Sequence, residues 1–154
     1  MNLLDASFAK KRISAGGLIR NGAGELLIVQ PGYREGWLLP GGVVEADESP
    51  QQALLREIAE ELNLRARSPR LRCVDYLGAG PRYGESLHLL FECAAPTAAE
   101  LREVRVDGVE LLQWRWSSPA QAQDLLVPSI AARLRALERA ASAALLYLEN
   151  GAAV

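Results

Sequence analysis

The stretch SPQQALLREIAEELN, residues 49–63, specifies a helix at both of its ends. Ser49 is a good N-cap, Pro50 suits the first helical position, and Gln52 completes a capping box with Ser49. Leu54, Leu55, Ile58 and Leu62 recur at helical spacing and make one apolar stripe. Asn63 follows the last turn, where a left-handed residue often ends a helix. An apolar stripe must be buried against another layer, so this helix constrains what surrounds it.

The polar side of the same helix carries Glu57, Glu60 and Glu61. At about 100° per residue the three carboxylates share a face. Like charges at this spacing destabilise a helix by a few tenths of a kcal/mol, and the macrodipole disfavours anions in the last turn. One reading is a solvated face on which Arg56 pairs with Glu60. The other is a hard divalent cation, which takes oxygen ligands, waters and substrate phosphates and turns repulsion into coordination.

The rest of the chain reads as strands and helices mixed in one domain over residues 1–154. Residues 1–10 form a loose N-terminal arm. ISAGGLIR and ELLIVQ are strands joined by the turn NGAG, Asn21 to Gly24. WLLP and GVV are short extended pieces around Gly41 and Gly42. Leu71 to Leu77, Ser86 to Ala94 and Val109 to Trp116 are further strands. PAQAQDLL is a short helix after Ser118. A C-terminal helix is expected over 128–148, with Ile130, Leu134, Leu137, Ala141, Leu145 and Leu148 as its stripe and Gly151 beyond its end. That helix packs on the chain's own sheet or on a second copy in a homodimer. The fold class is α+β, with a sheet between helical layers.

Composition narrows the function. The chain has 154 residues, is 49% hydrophobic and 23% charged, and carries a net charge of −2. That balance gives no basic footprint for duplex nucleic acid or an anionic membrane. Cys73 and Cys93 sit in apolar runs without metal-ligand spacing and read as buried thiols. The longest apolar run is too short to span a bilayer, and a cytoplasmic protein is the expectation.

From Gly42, five residues lead to Glu48 and seven more to Arg56-Glu57, followed by Ile58, Ala59, Glu60-Glu61, Leu62, Asn63 and Leu64. This resembles the Nudix box, Gly-x5-Glu-x7-Arg-Glu-U-x-Glu-Glu-x-Gly-U, where U is a bulky aliphatic. Only Asn63 departs, standing where the family has Gly. Asn tolerates left-handed backbone better than other non-Gly residues. The flanking strands, the LHLLFECAAP run and the WRW segment before a helix also resemble the Nudix layout, an α/β/α sandwich with a mixed central sheet.

The resemblance implies a pyrophosphohydrolase that uses Mg²⁺ or Mn²⁺ to cleave the diphosphate of a nucleoside diphosphate linked to another moiety. Nucleoside triphosphates, ADP-ribose, dinucleoside polyphosphates and nucleotide sugars are the candidate substrates. It implies Glu57, Glu60, Glu61 and the Gly41 carbonyl as metal ligands. It implies that Arg56 orients a catalytic glutamate, with Glu48 as its partner; direct contact of Arg56 with phosphate is the alternative. The base that takes the proton from water is a box glutamate or one on a later loop, with Glu110 best spaced and Glu85 and Glu92 less so. Tyr33, Arg34, Arg82 and Tyr83 lie in loops able to reach a nucleotide. His88, in an alternating strand, reads as structural before catalytic, and Trp37, Trp114 and Trp116 read as core before base-stacking. The competing function is a non-catalytic nucleotide-binding or regulatory module of the same fold.

Overall fold

The capping box forms as the sequence predicts. In the computed structural model, which describes residues 5–154, the Ser49 side chain accepts from the Gln52 amide and the Gln52 side chain accepts from the Ser49 amide. The helix it opens, α1, runs over Pro50–Leu62, and Asn63 closes it in left-handed conformation at φ 52°. Ala53, Leu54, Ile58 and Leu62 are buried.

What α1 covers is a six-stranded mixed sheet. Its strands are β1 (Arg12–Ile19), β3 (Gly41–Val43), β4 (Arg70–Leu77), β5 (Ser86–Cys93), β7 (Leu146–Glu149) and β8 (Ala152–Ala153), in the order β3-β1-β5-β4-β7-β8. The β1/β5 and β4/β7 pairs are parallel and the others antiparallel. A separate antiparallel pair joins β2 (Leu26–Pro31) to β6 (Leu111–Ser117). Short α2 (Ala98–Arg102) and α3 (Pro119–Leu125) precede α4 (Pro128–Arg139).

Two apolar cores result. Ala15, Ile19, Leu27, Val29 and Phe91 pack with the α1 stripe. Leu18, Leu26, Ile28, Leu90 and Leu148 pack with Leu134 and Leu137 of α4. Strand β2 therefore feeds both cores with alternate residues, which is why it is a continuous apolar run. Cys73 and Cys93 are buried free thiols, pushed up to about 11 by burial. No helix among the described residues is long and apolar enough to cross a membrane.

Two expectations need correction. The NGAG turn forms, but only a single bridge, Arg20 to Leu26, joins its arms, and β1 and β2 part into different sheets. Burial on both faces of β2 takes precedence over local hairpin closure. Of the N-terminal arm, residues 1–4 lie outside the described residues, and Asp5–Ser7 form one exposed 3₁₀ turn. Helix α4 ends at Arg139 rather than near Leu148, and it lies on the chain's own sheet. The segment beyond it adds β7 and β8, joined through Asn150 (φ 50°) and Gly151 (φ 79°). Asn-Gly with both residues left-handed is the strongest short hairpin signal, and here it overrides the helical spacing of leucines.

Tertiary bonds fix that tail. Arg70 and Arg72 donate to the Ser142 and Ala144 carbonyls, and the buried Asp75 carboxylate accepts from the Gly151 amide and from Arg133 Nε. In the strand Leu148 is fully buried while Leu145 is 60% exposed. Replacing Leu148 by Ala is expected to cost about 2–5 kcal/mol in urea unfolding, and Leu145→Ala about 0.5 kcal/mol or less. Similar losses at the two positions would contradict the strand and restore a continuous helix.

Candidate active site

The site is built where β3 meets α1. β3 pairs with β1 through Gly41 to Gly16, Gly42 to Ala15 and Val43 to Ser14. The Pro40 carbonyl and the Val44 amide bond Gly17 and Ile13 of β1. By the alternation of an antiparallel ladder, the peptide groups of Gly41 and Val43 then face away from β1, toward α1. The Gly41 amide donates to Glu61 at 3.1 Å, and the Val43 carbonyl accepts from Arg56. Gly41 holds φ at 142°, and a Cβ there would strike the Ala15 carbonyl. At Gly42 a Cβ would lie 2.4 Å from the Glu57 carboxyl carbon. Glycine is required at both positions so that backbone and carboxylate can meet this closely.

Arg56 is the hub of the acids. Its Nε and Nη2 donate to the two Glu48 oxygens at 2.6 and 2.9 Å, a fork-to-fork pair. Its Nη1 donates to Glu57 at 2.9 Å and to Glu60 at 3.2 Å. The arginine is thus bonded to three glutamates at once. These bonds hold the Glu48 carboxyl down at about 2 and raise the Arg56 guanidinium further.

Glu61 faces the opposite pressure. Burial, and after it the charges of Glu57, Glu110 and Glu60, push its carboxyl up to about 8 against the pull of the Gly41 amide. Glu110 reaches this field from the loop before β6, which Asp107 shapes by accepting from the Val109 and Leu111 amides. The strand expected from Val109 begins instead at Leu111. The Gly32 amide donates to the Glu110 carbonyl and ties this loop to the one carrying Tyr33. The Tyr33 hydroxyl is also raised, first by its own burial and then by Glu61.

The donor chemistry fits a hard dication: carboxylates crowded together, with a glycine peptide group facing them. As they stand, the acids are held apart. Among the described residues no three acidic, histidine or cysteine side chains are gathered closely enough to hold a metal ion. Arg56 keeps Glu57 and Glu60, and the Gly41 amide keeps Glu61.

The other sequence candidates separate cleanly. Arg34, Arg82, Tyr33 and Tyr83 line one groove of about 780 Å³ together with Arg12, whose guanidinium lies 4.8 Å from the Tyr83 ring centroid. Glu85 is engaged by Tyr76 and Lys11, and Glu92 by Arg70 and Arg72. His88 is bonded at both ring nitrogens, by Ser14 at 2.6 Å and Ser86 at 2.8 Å. Burial and the nearby Arg133 charge push its imidazole down to about 4. Trp37 is a core residue, and Trp114 and Trp116 pack edge to face against the α1 core. Sequence reasoning missed Arg12, Ser14 and Arg133, which line a second cavity beside Gly41; nothing local in the sequence distinguishes them from surface or strand positions.

A sequence model of the NUDIX domain matches residues 10–137, and the chain belongs to that family. It is 36% identical over 59 residues to a MutT-like protein of Streptomyces ambofaciens, a match covering 38% of each protein. It is 38% identical over 61 residues to an 8-oxo-dGTP diphosphatase of Haemophilus influenzae, covering 37% of this chain and 45% of that one. These matches thus span less than half the length of either relative. The fold is that of the MutT protein from Methanosarcina mazei Go1, with a TM-score of 0.71 at 23% identity over 86% of this chain and 97% of that one.

The His88 environment sets a pH dependence. An imidazole held near 4 when folded and near its ordinary value of about 6.5 when unfolded binds its proton more readily in the unfolded chain. Its contribution to stability is intact above about 6.5 and is lost as the pH falls toward 4. Urea midpoints of the native protein are therefore expected to drop between pH 7 and pH 4.5 more than those of His88→Gln. Equal drops would contradict this account.

Proposed function

We propose that the protein is a divalent-metal-dependent pyrophosphohydrolase acting on a nucleoside diphosphate linked to another moiety. The observation that carries this reading is the close approach of the Glu57 and Glu61 carboxylates to the Gly41–Gly42 backbone, with Arg56 holding Glu57 and Glu60 beside them. An arginine- and tyrosine-lined groove that can receive phosphates and a base lies nearby. The Haemophilus relative's name, 8-oxo-dGTP diphosphatase, supports a nucleoside triphosphate as the first substrate to try.

Glu57, Glu60, Glu61 and the Gly41 carbonyl are the groups that would hold Mg²⁺ or Mn²⁺. Bound there, the ion would neutralise phosphate charge and lower the pKa of a water. Arg56 positions Glu57 and Glu60 and is itself oriented by Glu48. Glu110, outside the helix, is the carboxylate left to accept a proton from the water that attacks phosphorus. Arg34 and Arg82, which have no carboxylate partner among the described residues, bind the phosphates that flank the scissile bond. Tyr33 and Tyr83 offer ring faces to a base.

A panel of nucleoside triphosphates, ADP-ribose, dinucleoside polyphosphates and nucleotide sugars, incubated with Mg²⁺, tests this by release of phosphate or monophosphate. Glu61→Gln and Glu60→Gln are expected to lower kcat by about 100-fold or more with the unfolding midpoint retained. Tight nucleotide binding with no turnover of any panel member would favour the non-catalytic module. Turnover that survives chelation would remove the metal from the proposal.

A further inference from the structure

The loop before β6 is held by hydrogen bonds rather than by burial. Asp107, Gly108, Val109 and Glu110 are all exposed, and Val109 is 79% exposed. One carboxylate oxygen of Asp107 accepts from both the Val109 and the Leu111 amides, each at 3.0 Å. Gly108, left-handed at φ 77°, donates its amide to the Leu111 carbonyl at 2.9 Å. An aspartate that caps backbone amides a few residues ahead of it closes an Asx-type turn, and here the turn encloses Glu110.

The turn is also tied across to the loop that follows β2. The Gly32 amide donates to the Glu110 carbonyl at 2.9 Å. A Cβ on Gly32 would lie 2.2 Å from the Val109 carbonyl oxygen, so the two loops touch backbone to backbone. Tyr33, next in the chain, lines a cavity whose wall includes Gly41, Gly42 and Val43. The backbone of Glu110 is thereby referenced to the same strand that meets the acids of α1.

Glu110 needs such a reference more than the other acids do. Glu57 and Glu60 are aimed by Arg56, and Glu61 by the Gly41 amide. The Glu110 carboxylate has no hydrogen-bond partner among the described residues. The backbone beneath it therefore sets its direction. A reacting group displaced by about 1 Å can lose about 100-fold in rate, so a turn that fixes this backbone bears directly on turnover.

We propose that Asp107 is a positioning residue that acts through Glu110, its Asx turn holding that carboxylate where it takes the proton of the attacking water. In that step the water oxygen bonds to phosphorus, its proton passes to Glu110, and the bond from phosphorus to the leaving phosphate oxygen breaks. The inference rests on the role given to Glu110 above.

Two substitutions separate the turn from the charge. Asp107→Asn keeps an oxygen able to accept both amides, and Asp107→Ala removes it. With the substrate of the panel that is turned over fastest, Asp107→Ala is expected to lower kcat by about tenfold or more, with KM and the urea midpoint close to native. Asp107→Asn is expected to stay within about threefold. In a Glu110→Gln background, Asp107→Ala is expected to cost no more than about a further twofold, because the group it positions is gone. Amide hydrogen exchange gives a readout independent of turnover: the Val109 and Leu111 amides should exchange faster in Asp107→Ala and at near-native rates in Asp107→Asn. Native kcat in Asp107→Ala, equal losses in Asp107→Ala and Asp107→Asn, or a loss as large in the Glu110→Gln background as in the native one would overturn the proposal. Full activity of Glu110→Gln would remove the base and this inference together and leave the metal-dependent hydrolase standing. No turnover of any substrate by the native protein would remove both.

Discussion

The carboxylate of Asp75 is the point on which one half of the molecule turns. It sits fully buried on β4, and it joins three pieces of chain that are far apart in sequence: α4 through Arg133, the β7–β8 turn through Gly151, and the sheet itself. Breaking such a pair by removing one partner leaves an uncompensated charge and costs about 3–5 kcal/mol. A buried ion pair of this kind is weak evidence for net stability, because apolar replacements of similar volume often do as well. Its stronger effect is on geometry. It fixes where the first turns of α4 stand over β1 and β5, and so it fixes the shape of the cavity between them.

The other half turns on Arg56. Four contacts meet there: the fork to Glu48, the bonds to Glu57 and Glu60, and the contact with the Val43 carbonyl. Burial first, and the neighbouring carboxylates after it, push the Glu61 carboxyl well above the ordinary carboxylate range. Crowding of like charge is unfavourable for the helix alone and favourable for a helix that receives a cation. The cost noted from spacing in the sequence and the geometry in the folded chain are the same fact seen at two levels.

How much of this was legible depended on whether the signal was local. The α1 caps, the left-handed Asn63 and the face shared by the glutamates follow from a dozen adjacent residues. The structure keeps each of them. The same local logic would have found α2, because Thr97 and Glu100 form a capping box that went unread. It would also have found the Asn150-Gly151 hairpin, had turn chemistry been weighed above the spacing of leucines. The parting of β1 from β2 was not legible, since it depends on which strands arrive to fill the places beside them. Arg133 was not legible either. On the helix surface it neighbours the apolar stripe, and only the arrival of Asp75 from 58 positions away makes it a buried guanidinium.

Asn63, the one departure from the box, does more than tolerate its backbone. Its side-chain amide donates to the Glu103 carbonyl, and the next turn of that loop returns a bond from the Arg105 amide to the Leu62 carbonyl. A glycine in the same place would adopt the conformation without a tether. Here the Leu62 carbonyl is secured by the Arg105 amide, so residues 103–105 are tied to the end of the turn that carries Glu60 and Glu61. Asn63 thus makes the helix stop after the acidic turn a point of attachment for the segment that follows α2.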